Sequence, residues 1–253
     1  MSDNSIVVLF SIIAIGIATG FAYGAYWAYQ IRSALVSPLY RNRALWVGAV
    51  GTFFALLVLS TILIGTFAST NRFLSLFQFG LTNFGAILVF GWIDSNVRVA
   101  RRSDPLQRNT LHWTKLRIFI WGILSIALVE GLVSAFISDI NFFEYHLSSP
   151  AALGGAFLRS PFAPAAAFGI VALAVSRRRI SDITLKRHIK WLVFFVLILV
   201  FATRLLEYPS SLSTVGFIGE LLLACGAYSL YMAARSLSQL DHLKPNVVPR
   251  NLQ

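Results

Sequence analysis

Several side chains that could do chemistry lie deep inside long apolar segments of this sequence. Four of them share one depth, roughly 20 Å from one end of their segments at a rise of about 1.5 Å per residue. They are Asn83, Glu130, Arg204 and Glu220, with Glu207 slightly further along. Arg204 is the one cation in this polar layer, so its pairing with Glu130 or Glu220 leaves one carboxylate over. That carboxylate is either protonated or meets an external cation or ligand.

A charged side chain inside a membrane span is costly and faces the bundle interior, where it finds a partner or lines a site. The polar layer is therefore a candidate binding site for a ligand or an ion. The alternative is a structural salt bridge that fixes the register of the helices. Asp94 is a second candidate. Because it precedes Arg98 by four residues, the alternative there is an i,i+4 ion pair at the end of its segment.

Other chemistries are excluded by where their residues lie. A haem inside a helix bundle needs axial ligands within the apolar segments. All four histidines lie in predicted loops, at an interface or in the tail: His112, His146, His188 and His242. The last apolar segment has no lysine for a retinal Schiff base, and Cys225 is the only cysteine. No nucleotide-binding, metallohydrolase or nucleophile-elbow motif is present. We therefore predict that the protein is not an enzyme and holds no metal or cofactor.

The composition defines the class of protein that must position these residues. Charged residues make up 12% of the chain, about half of the roughly 25% that is usual in soluble domains, and the mean hydropathy is +0.73. A spanning helix needs about 20 apolar residues, and seven stretches qualify: 6–31, 45–67, 73–95, 116–137, 157–176, 191–208 and 214–235. The sequence predicts an all-α, polytopic membrane protein, with one seven-helix domain over residues 1–253 and a short tail at 236–253.

The basic residues predict how this bundle is oriented. All but three of the 21 Lys and Arg residues lie in the predicted loops at one end or in the tail, and the exceptions are Arg72, Arg159 and Arg204. The positive-inside rule places that end in the cytoplasm, with the N-terminus outside. The net charge of +11 then faces anionic lipids at the cytoplasmic face of a cell membrane. No nucleic-acid partner is predicted, because the loops are short and lack a recognition element.

A short pattern recurs where the chain enters the second, fourth and sixth predicted spans. Its copies are Pro38, Arg41 and Trp46; Pro105, Arg108 and Trp113; and, more faintly, Asp182, Lys186 and Trp191. The pattern indicates either a helical hairpin repeated three times and followed by a seventh helix, or convergence at a membrane boundary. Convergence has a physical basis, because proline stops the preceding helix, arginine meets phosphate and tryptophan favours the interface.

The first predicted span carries Gly16, Gly20 and Gly24 at a spacing of four residues. Small residues at this spacing let two helix backbones approach closely. The pattern predicts a helix–helix seam inside the bundle, and the alternative is homodimerisation through the same face.

Three functions fit this sequence. The first is a receptor or sensor module that binds a small ligand or cation at the outward-facing polar layer, and the charged residues of that layer favour it. The second is an accessory or structural subunit of a larger membrane complex with partner subunits, which the short loops and the small-residue face allow. The third is a transporter or proton-coupled carrier, but inverted repeats and broken helices are not evident in the sequence.

Overall fold

The computed structural model of the protein describes residues 3–67, 84–98, 111–136, 162–206 and 214–238, and this part of the chain is helical apart from short connections. Its helices are α1 (Asp3–Ala34), α2 (Pro38–Phe67), α3 (84–98), α4 (Leu111–Phe136), α5 (Phe162–Arg179), α6 (Ile183–Leu206) and α7 (Thr214–Arg235). The prediction of an all-α protein is confirmed for these residues.

Three of the helices are long and apolar enough to cross a membrane. These segments are Val8–Ala34 of α1, Pro38–Ser60 of α2 and Phe217–Arg235 of α7. Four helices begin earlier than the hydropathy predicts, and the largest differences are those of α2, at Pro38 rather than at 45, and α6, at Ile183 rather than at 191. The apolar stretch marks only part of each helix, because polar residues form its first turns. Seven spans and their orientation stay predictions.

Two tight hairpins join neighbouring helices at the same end of the bundle. Residues 35–37 connect α1 to α2, and residues 180–182 connect α5 to α6. Pro38 is the first residue of α2, where its missing N–H and fixed φ are well tolerated. Asp182 precedes α6, and its Oδ1 atom accepts a hydrogen bond from the Leu185 N–H at 3.1 Å. This bond satisfies one of the free N–H groups of the first turn, as an N-cap does.

We call this end of the bundle the basic end. There α1, α3, α5 and α7 finish, and α2, α4 and α6 begin. We call the opposite half of the bundle the outer half.

Aromatic rings form the centre of the core. The Phe21 ring of α1 lies 5.6 Å from Phe54 of α2 and 6.4 Å from Phe195 of α6, measured between ring centroids. Trp92 of α3 lies 5.8 Å from the same Phe195 ring. Four helices thus meet at one aromatic cluster, and such stacked, tilted and edge-on ring contacts add to the free energy of burial.

The central helix of the bundle is α3. All of its residues from 89 to 97 are buried, so no face of this stretch is open. Phe90 packs against Trp121 of α4 at 5.3 Å between ring centroids. Ile93 fills the space beside Gly169 of α5, while α2 and α6 cover the remaining faces. Polar residues on this stretch therefore lie inside the protein.

The small residues of α1 lie against α7 of the same chain. A Cβ atom added at Gly20 would lie 3.2 Å from the Ala227 Cβ, and one added at Gly24 would lie 3.3 Å from the Leu230 Cδ2. At Gly16 an added Cβ would meet no described atom within 4 Å. The close approach of the two helices is thus confined to the part of α1 nearer to the basic end.

Many of the exposed side chains of the described helices are large and apolar. Large side chains that are about 60% exposed occur on five helices: Ile12, Leu56, Ile118, Val171 and Phe201. Water around such a surface is unfavourable, whereas the hydrocarbon of a bilayer is as apolar as these side chains. The surface and the three long apolar helices therefore support a membrane location.

Candidate functional site

The structure describes one side chain of the predicted polar layer, that of Glu220. Asn83 and Glu207 lie outside the described residues. Glu130 and Arg204 lie on α4 and α6, but their side chains are outside what the structure describes. The pairing of Arg204 with a glutamate of this layer stays a prediction.

Glu220 lies near the start of α7, in the outer half, roughly 22 Å from Arg235 at the other end of the helix. Its Oε2 atom is buried and has no hydrogen-bond partner among the described residues. An ionised oxygen that is buried without a partner is costly. The carboxyl group is therefore suited to take up a proton, a cation or a hydrogen-bond donor of a ligand.

The basic end holds a second carboxylate, that of Asp94 on α3, whose side chain is 3% exposed. The Arg98 Nε atom lies 3.3 Å from its Oδ2, so the predicted i,i+4 pair is confirmed. The Arg117 Nε atom of α4 lies 3.9 Å from its Oδ1. This longer distance makes the second arginine a charge partner rather than a hydrogen-bond donor. Together they form an ion-pair cluster that joins α3 to α4.

Arg43, a cation of the first predicted loop, lies on α2 and is buried. It is 2% exposed, and its Nη2 donates a hydrogen bond to the backbone oxygen of Ser95 on α3 at 2.5 Å. Its Nε atom has no hydrogen-bond partner in the described part of the chain. Because α2 begins earlier than predicted, Arg43 lies inside the helix, on the buried face that carries Tyr40, Ala44 and Val47.

His188 lies on α6 and is completely buried, so a loop position for this residue is wrong. The Trp92 Nε1 atom donates to its Nε2 at 3.2 Å, and its Nδ1 lies 3.0 Å from the Ala233 carbonyl oxygen. Since Nε2 accepts, Nδ1 carries the proton and donates to Ala233. One neutral imidazole thus joins α3, α6 and α7. His188 precedes the predicted span at 191, and burial lowers its pKa to about 4.

Residues of the first copy of the recurring pattern contact the end of α1 and the middle of α3. The Arg41 Nε atom donates to the Leu35 carbonyl oxygen at 2.7 Å, just beyond the end of α1. The Trp46 ring lies against Gly91 of α3, where an added Cβ would be 2.6 Å from the ring. Of the second copy, Pro105 and Arg108 lie outside the described residues, and Trp113 lies on α4 with its side chain undescribed.

The segments that carry the first and third copies contact each other through Tyr40, a residue of the first segment. The Tyr40 hydroxyl donates a hydrogen bond to the Asp182 carboxylate, which also caps α6. The Trp191 ring of the third copy meets Tyr228 of α7 at 6.0 Å between centroids, and Lys186 lines a cavity between α5 and α6. The pattern therefore coincides with contacts at the basic end. Its origin as a repeated hairpin stays a prediction.

These features define a helical bundle that has three helices able to cross a membrane and a polar network at its basic end. Within the described ranges, no group of three or more His, Cys, Asp or Glu side chains is placed to hold a metal ion. Comparison with known protein families, curated proteins and solved structures finds no match to this chain. A function must therefore be argued from the sites themselves.

Proposed function

We propose that the protein is a receptor- or sensor-type module of a cell membrane, with seven spans, an external N-terminus and a cytoplasmic basic end. It binds a cation or a small molecule that presents a cationic group, at the polar layer in the outer half. The observation that carries this proposal is the buried Oε2 atom of Glu220, which has no hydrogen-bond partner among the described residues. A cation at this atom would neutralise a charge that the described residues leave without a partner.

The same helix links this carboxyl group to the basic end. Glu220 and Ala233 are roughly 20 Å apart along α7, and the Ala233 carbonyl oxygen accepts the His188 hydrogen bond. His188 in turn accepts from Trp92 on the central helix α3. A ligand that shifts α7 would therefore disturb a bonded contact at the opposite end, as coupling between two sites requires. In this proposal a partner subunit reads the change at the basic end.

Ligand binding is tested with the thermal-unfolding midpoint of the detergent-purified protein in chloride salts of sodium, potassium, magnesium, calcium and choline. At least one cation should raise the midpoint, because a ligand that binds only the folded state stabilises it. Glu220→Gln should abolish that increase. Asp94→Asn is the matched control, because it neutralises a carboxylate at the opposite end, and it should keep the increase. If Glu220→Gln responds like the wild type, the proposed ligand site is wrong.

The alternative functions predict other results. Gentle-detergent purification and native mass spectrometry should yield a chain with a bound small molecule if it is a sensor module, and a stable complex with other subunits if it is an accessory subunit. A carrier would show uptake in proteoliposomes that is lost in Glu220→Gln. A complex of fixed stoichiometry, or such uptake, would replace the proposed function by the corresponding alternative.

The orientation is tested with single cysteines in a Cys225→Ala background. Cysteines at Ser2 and Ser148 should react with an impermeant thiol reagent added outside intact cells. Cysteines at Ser103 and Ser181 should react only after permeabilisation, because they lie in predicted cytoplasmic loops. Labelling of the second pair in intact cells would reverse the orientation.

A further inference from the structure

A cavity of about 480 Å³ lies between α5 and α6 at the basic end. Four basic side chains line it: Arg177 and Arg178 from the last turn of α5, and Lys186 and Lys190 from the first turns of α6. The short connection 180–182 brings these two helix ends together. The four cations therefore line one partly open cavity.

These cations lack acidic partners within the described ranges. The ion pairs found there are those of Asp94 with Arg98 and Arg117, and none involves the cavity. Lys190 is held beside the Trp191 ring, with its Nζ atom 5.8 Å from the ring centroid. Four like charges around one cavity repel each other, and an anion placed between them relieves that repulsion. The cavity is thus electrostatically complementary to an anion.

The remaining lining of the cavity is apolar and leads away from the basic end. Val193 and Phe194 of α6 line it, and Phe194 is 47% exposed. Leu197 and Phe201 follow on the same face of α6, at the spacing that aligns side chains along a helix, and are 38% and 61% exposed. An apolar stripe of about 10 Å therefore begins where the basic residues end.

We propose that this cavity binds the headgroup of an anionic phospholipid, whose phosphate lies among the four cations and whose acyl chain follows the stripe Phe194, Leu197 and Phe201. Basic pockets between membrane helices at the cytoplasmic side are suited to such headgroups. The apolar stripe decides between the two sources of phosphate, because a free phosphate ion would gain nothing from it. The site rests on the membrane location and is independent of the ligand proposed at Glu220.

The test titrates delipidated protein in mild detergent with dioleoyl phosphatidylglycerol or dioleoyl phosphatidylcholine, and native mass spectrometry gives the apparent Kd. Phosphatidylglycerol should bind more tightly than the neutral lipid. Lys186→Gln/Lys190→Gln should weaken its binding about tenfold or more, since each basic residue near an anionic surface contributes substantially. Arg187→Gln/Arg235→Gln removes the same charge from exposed residues at the same end that do not line the cavity. It should change the Kd less than about twofold.

Further measurements identify the ligand and check that the variants fold. Lys186→Arg/Lys190→Arg keeps the charges and should keep the affinity, which separates loss of binding from loss of folding. Inorganic phosphate and glycerol phosphate should compete only weakly, because they lack acyl chains. The proposed lipid site is wrong if inorganic phosphate or glycerol phosphate competes as well as the lipid does. It is also wrong if Lys186→Gln/Lys190→Gln and Arg187→Gln/Arg235→Gln weaken lipid binding equally. Glu220→Gln should leave lipid binding unchanged, so failure here and failure of the cation site can be told apart.

Discussion

Asp94 and Glu220 are acidic residues in opposite parts of the bundle, and their surroundings are opposite too. Two arginines from two helices approach the Asp94 carboxylate at the basic end. The buried Oε2 atom of Glu220, near the start of α7, has no partner in the described part of the chain. A buried carboxylate that is paired joins helices, and loss of its partner is destabilising, whereas one without a partner favours any ligand that neutralises it. The described contacts therefore join helices at the basic end, and the ligand site that we propose lies in the outer half.

Buried polar groups support the cohesive role of the basic end. Arg43 links α2 to α3 through the Ser95 carbonyl oxygen, and His188 links α6 to both α3 and α7. With the Asp94 cluster, these bonds connect five helices within a few turns of one end. In a bilayer, where apolar side chains gain little from leaving lipid, packing and hydrogen bonds between helices stabilise the bundle.

The largest expected effect concerns packing. Gly51 of α2 has no room for a side chain, because an added Cβ would lie 2.7 Å from the Leu230 Cδ2 and 3.0 Å from the Phe21 backbone oxygen. Gly51→Ala should lower the free energy of unfolding by about 3 kcal/mol, as overpacking does in a dense core. Gly16→Ala in the outer half of α1, where the described structure leaves open space, should be neutral or slightly stabilising. Denaturation with a dodecyl sulfate titration measures both, and equal effects would remove the packing contrast.

Acidification should weaken the basic end through His188. Its pKa of about 4 in the folded protein lies below the usual value of about 6.5 in the unfolded chain. Between these pH values the unfolded state binds more protons, so stability falls as the pH decreases. From pH 7 to pH 5 the loss should be about 2 kcal/mol.

The control for this pH effect is His188→Asn, whose amide can still donate toward the Ala233 carbonyl oxygen but does not titrate. The variant should show a smaller fall of the thermal-unfolding midpoint between pH 7 and pH 5 than the wild type shows. Parallel pH profiles for the two proteins would assign the acid sensitivity to another group and would leave His188 as a neutral packing residue only.

Asp94→Asn tests the cohesion of the ion-pair cluster. The substitution keeps the shape of the side chain but removes its charge from between Arg98 and Arg117. Both arginines are partly exposed, 49% and 31%, so the loss is moderated by solvent screening. The free energy of unfolding should fall by about 1 to 2 kcal/mol. Arg98→Gln should have a smaller effect, because Arg117 still faces the carboxylate. If Asp94→Asn leaves the free energy of unfolding unchanged, the ion pair does not stabilise the bundle.

The fold class could be predicted from the sequence because long apolar segments leave little choice but helices. The residues at which helices start at the basic end could not be predicted, because a hydropathy profile does not detect helical turns that consist of polar residues. Arg43 and His188 therefore fall in predicted loops, outside the predicted spans. A helical reading places Arg43 three residues after Tyr40 and four before Val47, and His188 three after Leu185 and four before Leu192. All four neighbours are buried, so helical periodicity continued beyond the apolar segment was the missed signal.

The contacts of the candidate site also fall into those that the sequence could predict and those that it could not. The i,i+4 pair of Asp94 and Arg98 could be predicted because it is local to one helix. The contact with Arg117, the bond from Trp92 to His188 and the Tyr40 bond to Asp182 join residues far apart in the sequence. Such contacts depend on which helices become neighbours, and spacing along the chain does not specify this. Depth along a helix can be counted from the sequence, whereas the direction in which a side chain faces depends on packing.

The smallest expected effect is that of Glu220→Gln, and it has the opposite sign to the effect of Asp94→Asn. It tests whether the two carboxylates differ as the comparison above states. Without ligand, Glu220→Gln should raise the free energy of unfolding by about 1 kcal/mol, because a neutral amide is easier to bury than an unpaired carboxylate. The effects of distant substitutions on stability are additive. In the same dodecyl sulfate titration, the change in the free energy of unfolding of the double variant with Asp94→Asn should therefore equal the sum of the changes in the two single variants.

If Glu220→Gln instead destabilises the protein, Glu220 has a cationic partner in the folded state. Arg204, the one cation that the sequence places at its depth, would then be that partner, and Arg204→Leu should cancel the difference between Glu220 and Gln. That outcome would make Asp94 and Glu220 structural, and Glu130 would then be the carboxylate of the polar layer that is left over for a ligand.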